Sequence, residues 1–169
     1  RLELFYCGSA PEDRVADAFR RAFAGLPRQG LLEPAVTTRR AAPASCRVVE
    51  EAMDVTQGKL ALGFRTGGQT CWEKSFPALY LAVAVYGGTT LSKLFMNVRE
   101  KLSLCYYASA TLERMKGLVL VSSGIEFGKY QTAKDEILAQ LEAVRRGEIE
   151  DWELEGSRRT LIGAYRATT

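Results

Sequence analysis

The chain has 169 residues, of which 47% are hydrophobic and 25% charged, a balance that suits one compact domain with a sizeable core and excludes intrinsic disorder. Its 23 basic and 20 acidic side chains leave a formal charge of +3, and they are mixed along the chain with no basic block, so neither nucleic-acid nor membrane-surface binding is supported. Histidine is absent, which removes Ser-His-Asp and Cys-His catalysis and every imidazole-dependent metal site.

Leu2, Leu4 and Tyr6 alternate with Glu3, Phe5 and Cys7, predicting a strand that ends at Gly8. Ser9-Ala10-Pro11-Glu12 then suits a capping box, and Val15, Ala18, Phe19, Ala22, Phe23 and Leu26 recur at helical spacing until Gly25 and Pro27 end the run. Residues 27–45 hold three prolines, a glycine and Arg39-Arg40, and read as an extended surface connection. Two β-like runs follow, Arg47–Met53 and Lys59–Arg65, closed by Gly67-Gly68.

Phe76–Tyr86 is apolar nearly all round and predicts a buried helix broken at Gly87-Gly88. Thr89 or Thr90 can cap the next helix, whose Leu91, Leu94, Phe95, Val98 and Leu102 form one stripe. Tyr106–Leu112 and Leu118–Ile125 flank Arg114-Met115-Lys116-Gly117, the composition of a hairpin turn with glycine at positive φ. Gln131–Arg146 is an amphipathic helix interrupted at Gly147, and a last helix carries Trp152, Leu161, Ile162 and Tyr165 on its apolar side. Hairpins between helical stretches argue for an α+β class: two layers, a mostly antiparallel sheet covered by helices, in a single domain spanning 1–169.

The longest apolar run, Ala78–Tyr86, is too short to span a bilayer. Cys7, Cys46, Cys71 and Cys105 form no Cys-x-x-Cys pair and read as reduced, mostly buried thiols of a cytoplasmic protein. No secretory signal follows Arg1, and the expectation is a piece of a longer polypeptide.

Few motifs rise above ordinary structure. Gly63–Thr70 has the glycines of a phosphate loop, but Gln69 stands where the lysine is needed, so a Gly-Gly turn is the better reading. Glu50-Glu51 with Asp54, and Glu148, Glu150 and Asp151, lack diagnostic spacing and read as solvated faces. Cys105 reads as a structural thiol, and Trp72, Phe76, Tyr80 and Phe95 as core. The segment Gly87–Tyr106 is the most suggestive, because a helix ending near Arg99 runs directly into a strand starting near Tyr106. A short reversal there can aim a guanidinium and a phenol at one point, a donor pair suited to a peptide carbonyl or the charge it develops during acyl transfer. On the residues alone, Arg99 paired with a nearby carboxylate and Tyr106 packed in the sheet is the preferred reading.

That segment, with Gly-Gly, Ser-x-Leu-Phe, Arg-Glu-Lys and a tyrosine in order, resembles the pitrilysin/insulinase family of inverzincin metallopeptidases. Leu4–Pro27, with its Gly-x-x-Pro-Glu helix start and Gly-Leu-Pro ending, and Val55–Leu60 are similar to further parts of that family's C-terminal half, so the likeness spans nearly the whole chain. The resemblance implies a clamshell of two α+β halves, only one bearing His-x-x-Glu-His. With no histidine, this chain would be the zinc-free C-terminal half. It would need no cofactor of its own, zinc being expected in a homologous partner half or companion subunit. It would not be catalytic alone, and its implied ligand is a peptide substrate. The family's second half supplies an arginine and a tyrosine seven positions apart that hold substrate near the zinc; Arg99 and Tyr106 match that spacing. Ser103, where many relatives have glycine, and Cys105 depart from the pattern without removing a donor. The likeness is greatest to a bacterial subgroup in which a chain lacking the zinc motif accompanies one that has it. A non-enzymatic scaffold subunit of the same fold is the alternative.

Overall fold

A computed structural model describes residues 3–27, 30, 36 and 40–168. The chain forms two compact units, Arg1–Val36 and Thr37–Thr169.

The first unit holds helix α1, Glu12–Ala22. Pro11 occupies its N-cap position without a side-chain cap bond, so the capping box expected from Ser9 and Glu12 does not form. Acidic Glu12 and Asp13 in the first turn and basic Arg20 and Arg21 in the last complement the helix dipole instead. Val15, Phe19 and Phe23 share the half-buried side. The strand expected over residues 2–7 is not formed at 3–7, and Leu2 lies outside the described residues. Tyr6 serves a turn there, its hydroxyl accepting the Ala10 backbone N–H at 3.0 Å. Of the connection expected over 27–45, residues 28, 29, 31–35 and 37–39 likewise lie outside the described residues, Arg39 among them.

The second unit is an α+β arrangement of two layers. Strands β1 (Gly58–Arg65), β2 (Cys105–Glu113) and β3 (Leu118–Ile125) form an antiparallel sheet in the order β1-β3-β2. Register is set by alternation: Leu60 of β1, Ala108 and Ala110 of β2, and Val119, Val121 and Ile125 of β3 turn to one side and are buried. The β2–β3 hairpin closes as the sequence predicts, with Lys116 N–H bonded to Glu113 C=O at 3.2 Å and Gly117 at φ 59°. A β-carbon on Gly117 would sit 2.7 Å from both Gln69 O and Thr66 Oγ1, because the 66–75 loop is folded against this turn. Thr66 Oγ1 donates within that loop to Gln69 C=O at 2.6 Å, and Gly67 and Gly68 both have positive φ. The glycines near residue 67 therefore make a turn that buttresses the hairpin, as the missing lysine implied.

Helices cover the buried side of the sheet. Helix α2, Phe76–Val83, continues into a π-helical turn, π1, at Ala84–Gly88; a second π-helix, π2, covers Leu94–Lys101. Helix α3, Tyr130–Arg145, follows a short 3₁₀ turn at Phe127–Lys129, and helix α4 runs Asp151–Thr168. Tyr86, Leu94, Val98, Ala133 and Ile137 supply the helical side of the core. Tyr86 is buried, and its hydroxyl donates to Ile137 C=O at 3.0 Å; burial pushes the phenol well above its ordinary value. Gly87 is required for this packing, since a β-carbon there would lie 2.6 Å from the Ala110 backbone nitrogen. The glycine at 87 thus lets π1 press directly onto β2.

Several expectations need correction. Residues 47–53 carry no strand, and Val48 and Val49 are exposed, because apolar alternation without a pairing neighbour leaves the backbone bonds unmade. Trp72 is 71% exposed in the 66–75 loop and is not core. On α4, Trp152, Ile162 and Tyr165 are exposed rather than buried. Cys7 and Cys46 are exposed, and Cys71 and Cys105 half-buried, so the thiols are free but not mostly buried. Among the described residues, no helix is long and apolar enough to cross a membrane.

Candidate functional site

Two hydroxyls set the entry to π2. Thr89 Oγ1 accepts the Leu91 N–H at 3.2 Å, and Ser92 Oγ accepts the Phe95 N–H at 3.4 Å. Lys93 fixes the same point from the side, its ammonium donating to both carboxylate oxygens of Glu153 at 3.0 and 2.8 Å. Both side chains are almost wholly buried. Glu153 also accepts the Glu150 N–H at 2.9 Å, so one carboxylate caps the start of α4 and neutralises Lys93.

From there the helix winds wider than an α-helix, and its apolar stripe drifts. Leu94 and Val98 are fully buried, whereas Leu91 and Leu102 at the two ends are 39% and 44% exposed. The exit is correspondingly unusual. Leu102 N–H bonds to Asn97 C=O at 3.1 Å, Ser103 N–H to Arg99 C=O at 3.1 Å, and Leu104 N–H to Val98 C=O at 3.0 Å. Ser103 stops the helix in the left-handed region at φ 49°, a conformation that usually selects glycine. Lys129 holds the stop, donating to Ser103 C=O and to Glu126, each at 3.2 Å.

Two residues later a bulge opens β2. Cys105 pairs with Ile125 and Tyr107 with Gly124, leaving Tyr106 as the extra residue. A bulged residue is freed from the ladder and its side chain re-aimed. Tyr106 is accordingly 64% exposed and does not pack in the sheet. Gly124 makes room for the neighbouring ring: a β-carbon on it would fall 2.6 Å from the Tyr107 ring.

A wide helix, a left-handed stop and a bulge thus follow one another between Leu94 and Tyr107, and they bring Arg99 and Tyr106 to the wall of one pocket of about 380 Å³. Glu100, Ser103, Cys105 and Glu126 complete the lining. The alternative pairing foreseen for Arg99 exists only loosely, with Nε 3.5 Å from Glu100 Oε1 and both side chains substantially exposed. Such a pair adds little stability. The Arg99 guanidinium lies 4.6 Å from the centroid of the Phe95 ring. Burial raises the Cys105 thiol above its ordinary value, with Ser123 and the Arg99 charge opposing, so the thiol is a neutral wall of the pocket near neutral pH.

The pocket can present a guanidinium and a phenol as hydrogen-bond donors. The helix-to-strand order of the segment and the family resemblance singled out Arg99 and Tyr106. It did not disclose Glu126 and Lys129, which reach the site from the far end of β3, nor the conformation of Ser103. The residues do not fit a zinc ion: the chain has no histidine, and among the described residues no three His, Cys, Asp or Glu side chains gather as a metal site. The acidic residues at 148–151 serve structure. Glu148 is held below the usual carboxylate range by its hydrogen bonds with Arg146.

A second, apolar hollow of about 400 Å³ lies between α2 and the end of α4, lined by Phe76, Tyr80, Leu161, Ile162 and Tyr165 among others. Phe76 stacks on Tyr80, and Tyr80 meets Tyr165 edge-on.

Comparison with known proteins bears on this arrangement. A family model described as the peptidase M16 inactive domain matches residues 1–161. A Bacillus subtilis protein named "Probable inactive metalloprotease YmfF" is 36% identical over 155 residues, which are 91% of this chain and 35% of that protein. The crystal structure of a conserved protein from Enterococcus faecalis superposes with a TM-score of 0.75 at 27% identity, covering 94% of this chain and 36% of that one. A Helicobacter pylori protease shares the fold with a TM-score of 0.65 at 17% identity, covering 94% of this chain and 39% of that one. The chain spans about a third of the length of these relatives.

Proposed function

The chain belongs to the peptidase M16 inactive-domain family, and we propose that it serves as the zinc-free half of a composite metallopeptidase, holding a peptide substrate rather than cleaving it. This family is the insulinase-type group that the sequence resembles. In this reading Arg99 and Tyr106 donate to a backbone carbonyl of an extended peptide, and the domain helps to enclose the chamber in which the peptide lies. Zinc and the acid-base machinery come from a homologous half or a companion subunit. That division follows from chemistry: a guanidinium and a phenol can steady a carbonyl and the charge it gains, whereas neither supplies a metal.

The observation that carries the proposal is the shared pocket, reached through three successive departures from regular backbone. Left-handed backbone at a residue other than glycine costs energy and recurs where a site needs it. The test is peptide turnover by the intact assembly. Arg99→Ala and Tyr106→Phe are expected to lower it by roughly tenfold or more while the assembly still forms, the loss of a charge-assisted bond being worth about 1.5–3 kcal/mol. Unchanged turnover in both variants refutes the role.

The apolar hollow between α2 and α4 favours a second reading, a scaffold subunit without any part in proteolysis. Isolation of the full-length protein from its own cells separates the two. Stoichiometric retention of a chain bearing His-x-x-Glu-His supports the composite peptidase; retention of unrelated proteins alone supports the scaffold, provided the rest of the subunit binds no zinc.

A further inference from the structure

We infer that Phe95 is a positioning residue for Arg99, setting the guanidinium toward the pocket without occupying any of its donors. The inference rests on the reading of Arg99 as a carbonyl-binding group. A free arginine side chain has many rotamers, and at this position two partners compete for it. Glu100, next in sequence, stands 3.5 Å from Nε. Phe95, four residues earlier on the same π-helix, has its ring centroid 4.6 Å from the guanidinium carbon.

The two partners have opposite consequences. A carboxylate takes the in-plane N–H groups of the fork, which are the groups a carbonyl needs. An aromatic face takes only the flat face of the cation through its quadrupole, and the N–H edge stays open. Phe95 is suited to the task by its place as well as its chemistry. It is half-buried, one residue beyond the fully buried Leu94, and its own backbone N–H is bonded to Ser92 Oγ, so the ring rests on an anchored turn. A π-helix bonds each N–H five residues back, which lets residues four and five apart ride nearly over one another. Arg99 therefore lies above Phe95 by construction of the helix.

The experiment is a double-mutant cycle on the full-length protein in its native assembly. Affinity is read by fluorescence anisotropy with a fluorescein-labelled, end-blocked, unstructured peptide of alanine, serine, threonine and leucine. Phe95→Leu is expected to weaken binding roughly two- to fivefold, to leave Phe95→Tyr near the parent, and to add nothing once Arg99 is already Ala. Phe95→Met, which also lacks a ring, takes its place if Phe95→Leu does not fold. Equal weakening with and without Arg99 overturns the inference, because the ring then acts through packing alone. No weakening by Phe95→Leu where Arg99→Ala weakens also overturns it, and leaves the proposed role of Arg99 standing. An Arg99→Ala variant that binds as the parent does removes that role and the inference together.

Discussion

Changing Glu153 to glutamine should open the junction between π2 and α4. In the native chain Lys93 and Glu153 are 9% and 4% exposed, and the carboxylate receives two bonds from the ammonium and one from the Glu150 N–H. Glutamine keeps one acceptor oxygen, loses the other, and leaves a buried ammonium without its paired carboxylate, with only the weaker field of Glu148 to oppose its charge. Breaking one side of such a pair costs about 3–5 kcal/mol, whereas replacing both members with apolar residues of similar volume is close to neutral. The cost should fall locally, so the suitable assay is native-state hydrogen exchange of peptides spanning Leu94–Lys101 and Asp151–Leu161 in the full-length protein. A loss of about 3 kcal/mol accelerates exchange there by roughly a hundredfold. The pair Lys93→Met with Glu153→Leu should cost less than Glu153→Gln alone, apart from about 1 kcal/mol for the lost cap of Glu150. A single variant that changes exchange by less than about fivefold, or a double variant as damaging as the two singles summed, refutes the argument that an unpaired buried charge dominates.

Two further outcomes follow from the pocket wall. Ser103→Gly should stabilise the fold by about 0.5–1 kcal/mol, since glycine relieves the left-handed cost but brings its own unfolded-state entropy; Ser103→Val should destabilise it, and thermal melts of the two variants check the sign. Cys105, raised by burial, should react more slowly with a disulfide reagent than exposed Cys46. Its folded-state thiol keeps a proton at pH values where the unfolded chain has lost it, so the unfolded state binds fewer protons and stability declines as pH rises above about 8. Cys105→Ala should flatten that decline, read as melting temperature between about pH 7 and pH 10.

What the sequence disclosed, and what it withheld, divides along the range of the forces involved. The hairpin was legible because its determinants are local: alternation on both sides and one glycine at the residue that needs φ 59°. The segment around Arg99 was legible as helix then strand for the same reason, yet its winding was not. Leu91, Leu94, Phe95, Val98 and Leu102 satisfy a 3.6-residue period on paper, whereas the wider winding seen in the fold is accompanied by tertiary ties, among them the close seat of Gly87 on Ala110 and the buried pairing of Lys93 with Glu153, sixty residues away. The strands expected at 2–7, of which 3–7 are described, and at 47–53 failed in the opposite direction over their described residues, because alternation describes a face that could be buried and says nothing of the neighbour that must complete its hydrogen bonds. The site shows both effects together. Arg99 and Tyr106 stand seven positions apart in the sequence, but the bulge that frees Tyr106 depends on the register of β3, and the carbonyl of the strained Ser103 is bonded to Lys129 from beyond that strand. A donor pair can therefore be suggested by resemblance to the family, while its aim is a tertiary property, and that is why variants of Phe95, Ser103 and Glu153, none of them a donor to substrate, test the site as stringently as variants of the pair itself.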